Sequence, residues 1–396
     1  MGTGGVGLDY TAFLQALHEE LIRSNGSGKK QIIQFPNALH FKRCMRAAEK
    51  LRKTLPMLSQ LKKLKIIHAI SCTLRPTAAI SGWPEMQQMV VEEDAIMRVH
   101  AATAAAGAKM ISLPESSLPW GVRQIRAHRV WNRSMGNRVR IAVIDTGVDY
   151  QHPDLKPSLS YGINFINRTM LPHDDNGHGT HIAGIIAAFN ASNGVIGVAP
   201  RASIHAVKAF DRNGTAYISD IIRGIDWAVH NGIHVINMSF GMKYRSSALL
   251  EAVRNAYHAG VIIVASSGND AKRGPIDYPA RFPQTIAVGA INRERKIAGF
   301  SNRGKYIDIY APGEKIVSTW TRGKYNEMSG TSMATSHVSG VIALLLSQYP
   351  HMKPAEIKAV LLKSAIRFRS SRDAGKGRID ATRVFRFMSN GTPRLS

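Results

Sequence analysis

Between Arg140 and Ser266 short apolar runs alternate with segments of helical period. Arg140–Ile144, Ser203–Phe210, His234–Phe240 and Val261–Ser266 read as buried strands. Gly179–Ala188, Ser219–His230 and Leu249–His258 read as helices. Ser219 or Asp220 is the expected N-cap of the second, with Gly232 near its end and Gly260 closing the third. A strand that is apolar on both faces has to be covered on both faces. This region is therefore expected to be α/β, a mainly parallel sheet between two layers of helices. Reactive groups in such sheets collect at the carboxyl ends of the strands.

The first part of the chain has a different pattern. Residues 1–28 read as an N-terminal tail with a short amphipathic helix around Leu14–Ile22. Gln31–Phe35 and Leu64–Leu74 are β-type runs, with a helix over Asn37–Thr54 between them. Trp83–Met89 reads as a weak helix, and Val90–His100 as one or two further strands. This order predicts a small α+β domain over 29–114. An Ala-rich stretch, Ala101–Ala108, and the Ser- and Pro-containing Pro114–Pro119 mark its boundary with a large domain over 115–388. Residues 389–396 read as a C-terminal tail.

Both cysteines, Cys44 and Cys72, precede that boundary, so the large domain can depend on neither a disulfide nor a Cys nucleophile. The chain carries 52 Lys and Arg against 27 Asp and Glu, a net +25. Residues 1–118 hold 15 against 9 and the remainder 37 against 18, so the charge is spread and is not a tail. Nucleic-acid binders concentrate Lys and Arg on one face or stripe, so no nucleic-acid partner is expected. The longest apolar stretches, such as Val341–Leu346, fall far short of the roughly 18 residues a spanning helix needs, so no membrane span is expected. The first 30 residues lack the pattern of a secretory leader. A cytoplasmic protein is the expectation, with an extracellular one as the alternative if the start is truncated or export is unconventional.

Three segments carry chemistry. Asp145 ends an apolar strand, and Gly147 follows to turn the chain. His178 stands between Gly177 and Gly179 at a helix start. Ser332 lies at the N-terminus of another helix, where unpaired amides favour developing negative charge. A serine nucleophile needs a base to take its proton, and the base needs an orienting carboxylate. His178 and His181 could also suggest zinc, but the Glu that zinc-peptidase helices carry between such a pair is absent.

The strings Val143-Ile-Asp145-Thr-Gly-Val-Asp149, Asn176-Gly-His178-Gly-Thr-His181-Ile-Ala-Gly184 and Gly330-Thr-Ser332-Met-Ala334 resemble the subtilisin-like serine peptidase family, in its chain order Asp, His, Ser. The resemblance runs from about Pro119 to about Asp380. It implies a three-layer subtilisin-like domain behind a small ferredoxin-like α+β propeptide domain. It implies a serine endopeptidase with Ser332 as nucleophile, His178 as general base and Asp145 as its orienter. Asn269, in Ser266-Ser-Gly-Asn269, would be the oxyanion donor. Ser239 and Gly241, in Asn237-Met-Ser239-Phe-Gly241, would lie on the edge that pairs with an extended substrate, with Gly214 on the facing edge. Asp277 would lie in the first-subsite pocket, favouring Lys or Arg there. Its substrates would be proteins and peptides, its own propeptide an intramolecular inhibitor cleaved near Pro114–Leu118, and its state a monomer. No cofactor is implied for the chemistry. A structural calcium is suggested at the loop Phe189–Val195, with Asp154 as its carboxylate.

Two departures stand out. Ser336 occupies a position where the family usually has Pro, and Ala191 one where a side-chain oxygen ligand is usual. Two other readings compete: a catalytically silent peptide-binding protein on the same fold, which the complete Asp145, His178, Ser332 and Asn269 set disfavours, and an α/β-hydrolase, whose order is Ser, Asp, His.

Overall fold

The computed structural model describes residues 10–75, 88–100, 118–189, 194–368 and 375–390. The chain divides into two compact units. The first comprises residues up to Ile96 together with Tyr217–Asp226 and Ser246–Ala252, and the second holds the rest.

In the first unit, α1 (Tyr10–Ser24) is followed by β1 (Lys29–Gln34), α2 (Ala38–Lys50), β2 (Lys62–Leu64), β3 (Ala69–Leu74) and β4 (Val90–Glu93). The strands form an antiparallel sheet in the order β2-β3-β1-β4. The segment expected to be a tail is part of the core: Phe13, Leu14, Leu17 and Leu21 are buried with Ile33, Phe41 and Ile70. The apolar residues recur at helical spacing, and a helix with such a stripe is stable only when the stripe is covered. The run Leu64–Leu74 is not one strand, because the chain turns at His68, which has φ 54°. Most of the expected Trp83–Met89 helix, and the junction expected near Pro114–Leu118 up to residue 117, lie outside the described residues. Cys44 and Cys72 are buried free thiols, and burial pushes both up to about 12.

The second unit is a three-layer α/β structure. Its strands are β5 (Ile96–Val99), β6 (Arg140–Asp145), β7 (Ile163–Asn164), β8 (Ser203–Lys208), β9 (Thr215–Tyr217), β10 (Val235–Met238), β11 (Phe240–Gly241), β12 (Ile262–Ser266), β13 (Thr285–Ile291), β14 (Ile309–Pro312), β15 (Ile316–Trp320) and β16 (Lys324–Met328). Its sheet runs β14-β13-β12-β10-β6-β8-β7 and all its pairings are parallel. The helices wholly within it are α3 (Trp120–Gln124), α4 (His178–Ala187), α7 (Thr331–Gln348), α8 (Pro354–Ser364) and α9 (Ala381–Ser389), while α5 (Ile218–His230) and α6 (Ser247–His258) each begin in the first unit and end in the second. Helix α7 is buried from Thr331 to Leu346 and packs on the sheet and on α4. Each Leu, Ile or Val sealed in this way contributes about 1.5–3 kcal/mol.

Helix α5 does not use the expected cap. The Ser219 amide donates instead to Asp94 Oδ1 at 2.8 Å, while Asp220 pairs with Lys62 and Arg223. Glu92 serves α6 in the same way, accepting from the amides of Ser247 (2.9 Å) and Ala248 (3.3 Å). A carboxylate at a helix start satisfies amides that have no partner within the helix and complements the dipole. Both helices thus take their first-turn acceptors from the strand region Glu92–Asp94.

Among the described residues, no helix is long and apolar enough to cross a membrane. The placement of α1 makes a direct prediction. Leu17→Ala is expected to cost about 2–5 kcal/mol, the range for emptying a buried leucine site. Urea unfolding followed by far-UV circular dichroism measures it; an unchanged midpoint would return α1 to a tail.

Candidate active site

Asp145 is the last residue of β6, fully buried beside Lys208 of β8. His178 opens α4 and is 1% exposed. His178 Nδ1 lies 2.7 Å from Asp145 Oδ1, which also accepts the Thr146 amide at 2.8 Å. Helix α4 approaches this closely only because residue 179 is glycine: a Cβ there would stand 2.1 Å from the Gly147 carbonyl oxygen. Asp174 fixes the approach loop. Its two oxygens accept from Thr146 Oγ1, from the amides of Asn176, Gly177 and Thr180, and from Thr180 Oγ1, at 2.6–3.0 Å. Asp174 has no role among the sequence expectations, although an acidic residue two before Asn-Gly is an Asx-turn signal.

Ser332 sits in the first turn of α7 and is fully buried. Its Oγ lies 3.0 Å from the carbonyl oxygens of both His100 and Ser239. His178 Nε2 is buried and has no hydrogen-bond partner among the described residues. Ser336 donates its hydroxyl to the Ser332 carbonyl at 3.0 Å, a bond a proline could not make.

Asn269 faces the same carbonyl. Its Nδ2 donates to the His100 oxygen at 3.1 Å. Its Oδ1 accepts from the Thr331 amide (2.9 Å) and hydroxyl (2.8 Å), which fixes the orientation of the side-chain amide. The His100 carbonyl oxygen is therefore held between a hydroxyl and an amide donor.

Residues Met97–His100 lie extended in this cleft. Phe240 pairs with Val99 and Gly241 with Arg98 in antiparallel register. The Val99 amide donates to the Gly214 carbonyl (3.1 Å), and the His100 amide to the Ser239 carbonyl (3.0 Å). Main-chain pairing of this kind accepts an extended peptide whatever its side chains. Ser239 and Gly241 thus border Met97–His100 on one side and Gly214 on the other.

The His100 side chain fills a pocket. Its Nδ1 lies 2.7 Å from Ser266 Oγ, and its Nε2 lies 2.9 Å from Asp277 Oδ2. Glycine at 241 makes room, since a Cβ there would stand 2.5 Å from the imidazole. Lys243 Nζ reaches Asp277 at 2.8 Å and also pairs with Asp270. Burial of Asp277 opposes its ionisation, but bonds and charge from His100 and then Lys243 outweigh it and hold the carboxyl below the usual range. Lys243 and His100 were not singled out in the sequence; neither lies in a motif, and only folding brings them to Asp277.

His181 does not face a metal. Its Nε2 donates toward the carbonyls of Ile316 and Asn326, and burial drives it down to about 3. Among the described residues no group of three or more His, Cys, Asp or Glu side chains is placed to hold a metal ion. Asp154 Oδ2 accepts from the Val195 amide and the Tyr325 hydroxyl, each at 2.9 Å, and Oδ1 is buried with no partner among the described residues. Calcium takes six to eight oxygens. Residues 190–193 of the loop expected to hold calcium lie outside the described residues.

Residues 136–386 match the model of the subtilase family. The chain is 43% identical over 269 residues to the thermostable alkaline protease of Halalkalibacterium halodurans, covering 68% of this chain and 73% of that protein. It is 40% identical over 324 residues to subtilisin E of Bacillus subtilis, covering 81% of each. It is 43% identical over 269 residues to the subtilisin of Bacillus pumilus, covering 67% of this chain and 97% of that protein.

The depressed Asp277 carboxyl sets a pH dependence. Its stabilisation is present above the usual carboxylate range near 4 and is lost as pH falls through the lower folded value. Asp277→Asn is expected to lower stability at neutral pH by about 1–3 kcal/mol. The difference should close below about pH 4. Denaturant midpoints of the two proteins between pH 3 and pH 8 check this.

Proposed function

Since the chain belongs to the subtilase family and is a serine endopeptidase acting on protein substrates, we propose that Ser332, His178, Asp145 and Asn269 are its working groups and that its first substrate is itself, at the bond His100–Ala101. The observation that carries this reading is the His100 carbonyl oxygen, 3.0 Å from Ser332 Oγ and 3.1 Å from Asn269 Nδ2. A carbonyl about to be attacked needs a nucleophile on one side and a donor for the developing oxyanion on the other.

The steps follow from these positions. The Ser332 hydroxyl turns about χ1 from the Ser239 carbonyl toward His178 Nε2, which has no partner among the described residues. Nε2 takes the proton as Oγ bonds to the His100 carbonyl carbon. Asp145 keeps the other imidazole proton on Nδ1 and balances the imidazolium that forms. The oxyanion gains strength in its bond to Asn269. On collapse the C–N bond to Ala101 breaks, and His178 returns its proton to the leaving amine. Water then enters, gives a proton to His178 and bonds to the acyl carbon; the bond from that carbon to Ser332 Oγ breaks, His178 returns the proton to Oγ, and His100 leaves as a carboxylate. Side chains and water suffice, and no cofactor takes part in any step. All the groups come from one chain, which fits a monomer.

By this reading the N-terminal region is a propeptide that ends at His100, before the junction expected near Pro114–Leu118. Its last residues occupy the substrate strand through Gly214, Ser239 and Gly241, so it inhibits until it leaves. The expected preference for Lys or Arg beside Asp277 is refined as well. Lys243 already neutralises that carboxylate, so a second ammonium would compete for it. An imidazole, which meets Ser266 and Asp277 through its two ring nitrogens, fits better.

Mass spectrometry of wild type and Ser332→Ala tests nucleophile and junction together. Wild type is expected to yield a product beginning at Ala101, and Ser332→Ala to stay at full length. Residual kcat on a peptide should fall by about 10⁶, the scale set by the corresponding change in a subtilisin. Asn269→Ala should cost about 10²–10³ in kcat with little change in KM, again on the subtilisin scale. Cleavage in Ser332→Ala at the wild-type rate would overturn the assignment.

A further inference from the structure

Part of the +25 charge is concentrated in one place. A cleft of about 600 Å³ in the second unit is lined by Arg123, Arg126, Arg129, Arg293, Arg295 and Arg378. These come from three separated stretches of sequence, so the fold and not a charge run assembles them. Cavities of roughly 300–1,000 Å³ suit small-molecule ligands. Trp120 forms part of the wall, with the Arg293 guanidinium 5.6 Å from its ring centre.

The compensating charge is small. Asp380 is the one carboxylate among the described lining residues. Arg126 Nε donates to it at 2.6 Å, and its other oxygen accepts from the Arg383 amide and the Thr382 hydroxyl at the start of α9. Asp380 therefore has little left for five further guanidiniums. Arg378 registers the excess: burial first, then the charge of Arg295, push its affinity for its proton down, and Asp380 only partly offsets this.

The backbone adds a second, independent observation. Arg126 and Arg295 both adopt left-handed conformations, with φ of 59° and 63°. Such a conformation costs about 1–2 kcal/mol in a residue with a Cβ, and Gly or Asn would take it more easily. Strained positions can cluster at binding sites, although other non-glycine residues with positive φ, such as Arg138 and Arg322, lie outside this cleft. Here two of them deliver guanidiniums into a site where like charges already repel.

We propose that this cleft binds a small anion carrying several adjacent phosphate groups. The guanidinium fork matches phosphate oxygens two at a time, which an ammonium cannot do. One carboxylate-bearing peptide side chain would neutralise a single arginine, whereas a run of three phosphates supplies three or four negative charges within one small volume. The site is separate in composition from the peptidase centre and shares no residue with it.

Two sources share this chemistry, inorganic triphosphate and a nucleoside triphosphate such as ATP. Isothermal titration of the full-length Ser332→Ala protein with each, at 150 mM salt, tests the proposal. One-to-one binding of either, at a Kd at least tenfold below that of monophosphate, is expected, together with a change in tryptophan fluorescence that Trp120→Phe removes. Arg293→Gln with Arg378→Gln should weaken binding by at least tenfold while, with Ser332 intact, peptide hydrolysis and the ligand-free melting temperature stay as in wild type. Binding of several equivalents, binding untouched by the double variant, or tighter retention of duplex DNA than of triphosphate with no one-to-one site would overturn it. Equal titration by both triphosphates means that the phosphates alone are read; a preference for ATP adds a base contact.

Discussion

The second unit is organised around one buried hydrogen bond, between Asp145 and His178. Both side chains are almost wholly removed from water. A carboxylate in such a place is tolerated only when it is bonded and its partner is held still. The surrounding structure meets that demand in layers at Oδ1, while Oδ2 has no partner among the described residues. Strand β6 fixes Asp145 through parallel neighbours on both sides. Helix α4 fixes His178, the bare Cα of Gly179 lets it come close, and Asp174 ties the loop between them through five donors. The unpartnered Nε2 is what this arrangement leaves available.

The receiving side depends on a different kind of rigidity. Thr331 saturates Asn269 Oδ1, so the amide nitrogen has one direction left and faces the cleft. Ser332 is the next residue, in the first turn of α7, a helix buried for most of its length. Donor and hydroxyl are thus tied to the same anchor. Displacing Thr331 would move both, which is why the geometry at the His100 carbonyl can be held to within a few tenths of an ångström by ordinary hydrogen bonds.

Much of this was legible in the sequence, for a physical reason. Uniformly apolar strands have only one environment that suits them, so Arg140–Ile144 and Val261–Ser266 read directly as central strands. Asp145, His178 and Ser332 each sit at an element boundary, where a change of pattern draws attention. The subtilase match and the α/β fold agree with those expectations. The failures have a common cause. Whether Tyr10–Ser24 is a tail or a core helix depends on what covers it, and nothing local says so. Ser219 and Asp220 look like caps, but Asp94 takes the role from more than a hundred residues away. Lys243 and His100 meet Asp277 only through folding, as do the arginines of the cleft beside Trp120. Long-range partners leave no periodicity to read.

Asp94 and Glu92 cap α5 and α6 from far away in sequence, so the cut proposed after His100 would turn those caps into contacts between two chains. The first compact unit contains Tyr217–Asp226 and Ser246–Ala252 as well as the N-terminal region. Severing the chain at His100 would leave that unit intact in shape but built from two molecules. Its persistence then becomes a matter of mass action: the fragments would stay paired in concentrated solution and separate on dilution. Peptidase output would lag behind the first cut and quicken as the protein spreads through a larger volume, a delay timer whose setting is concentration.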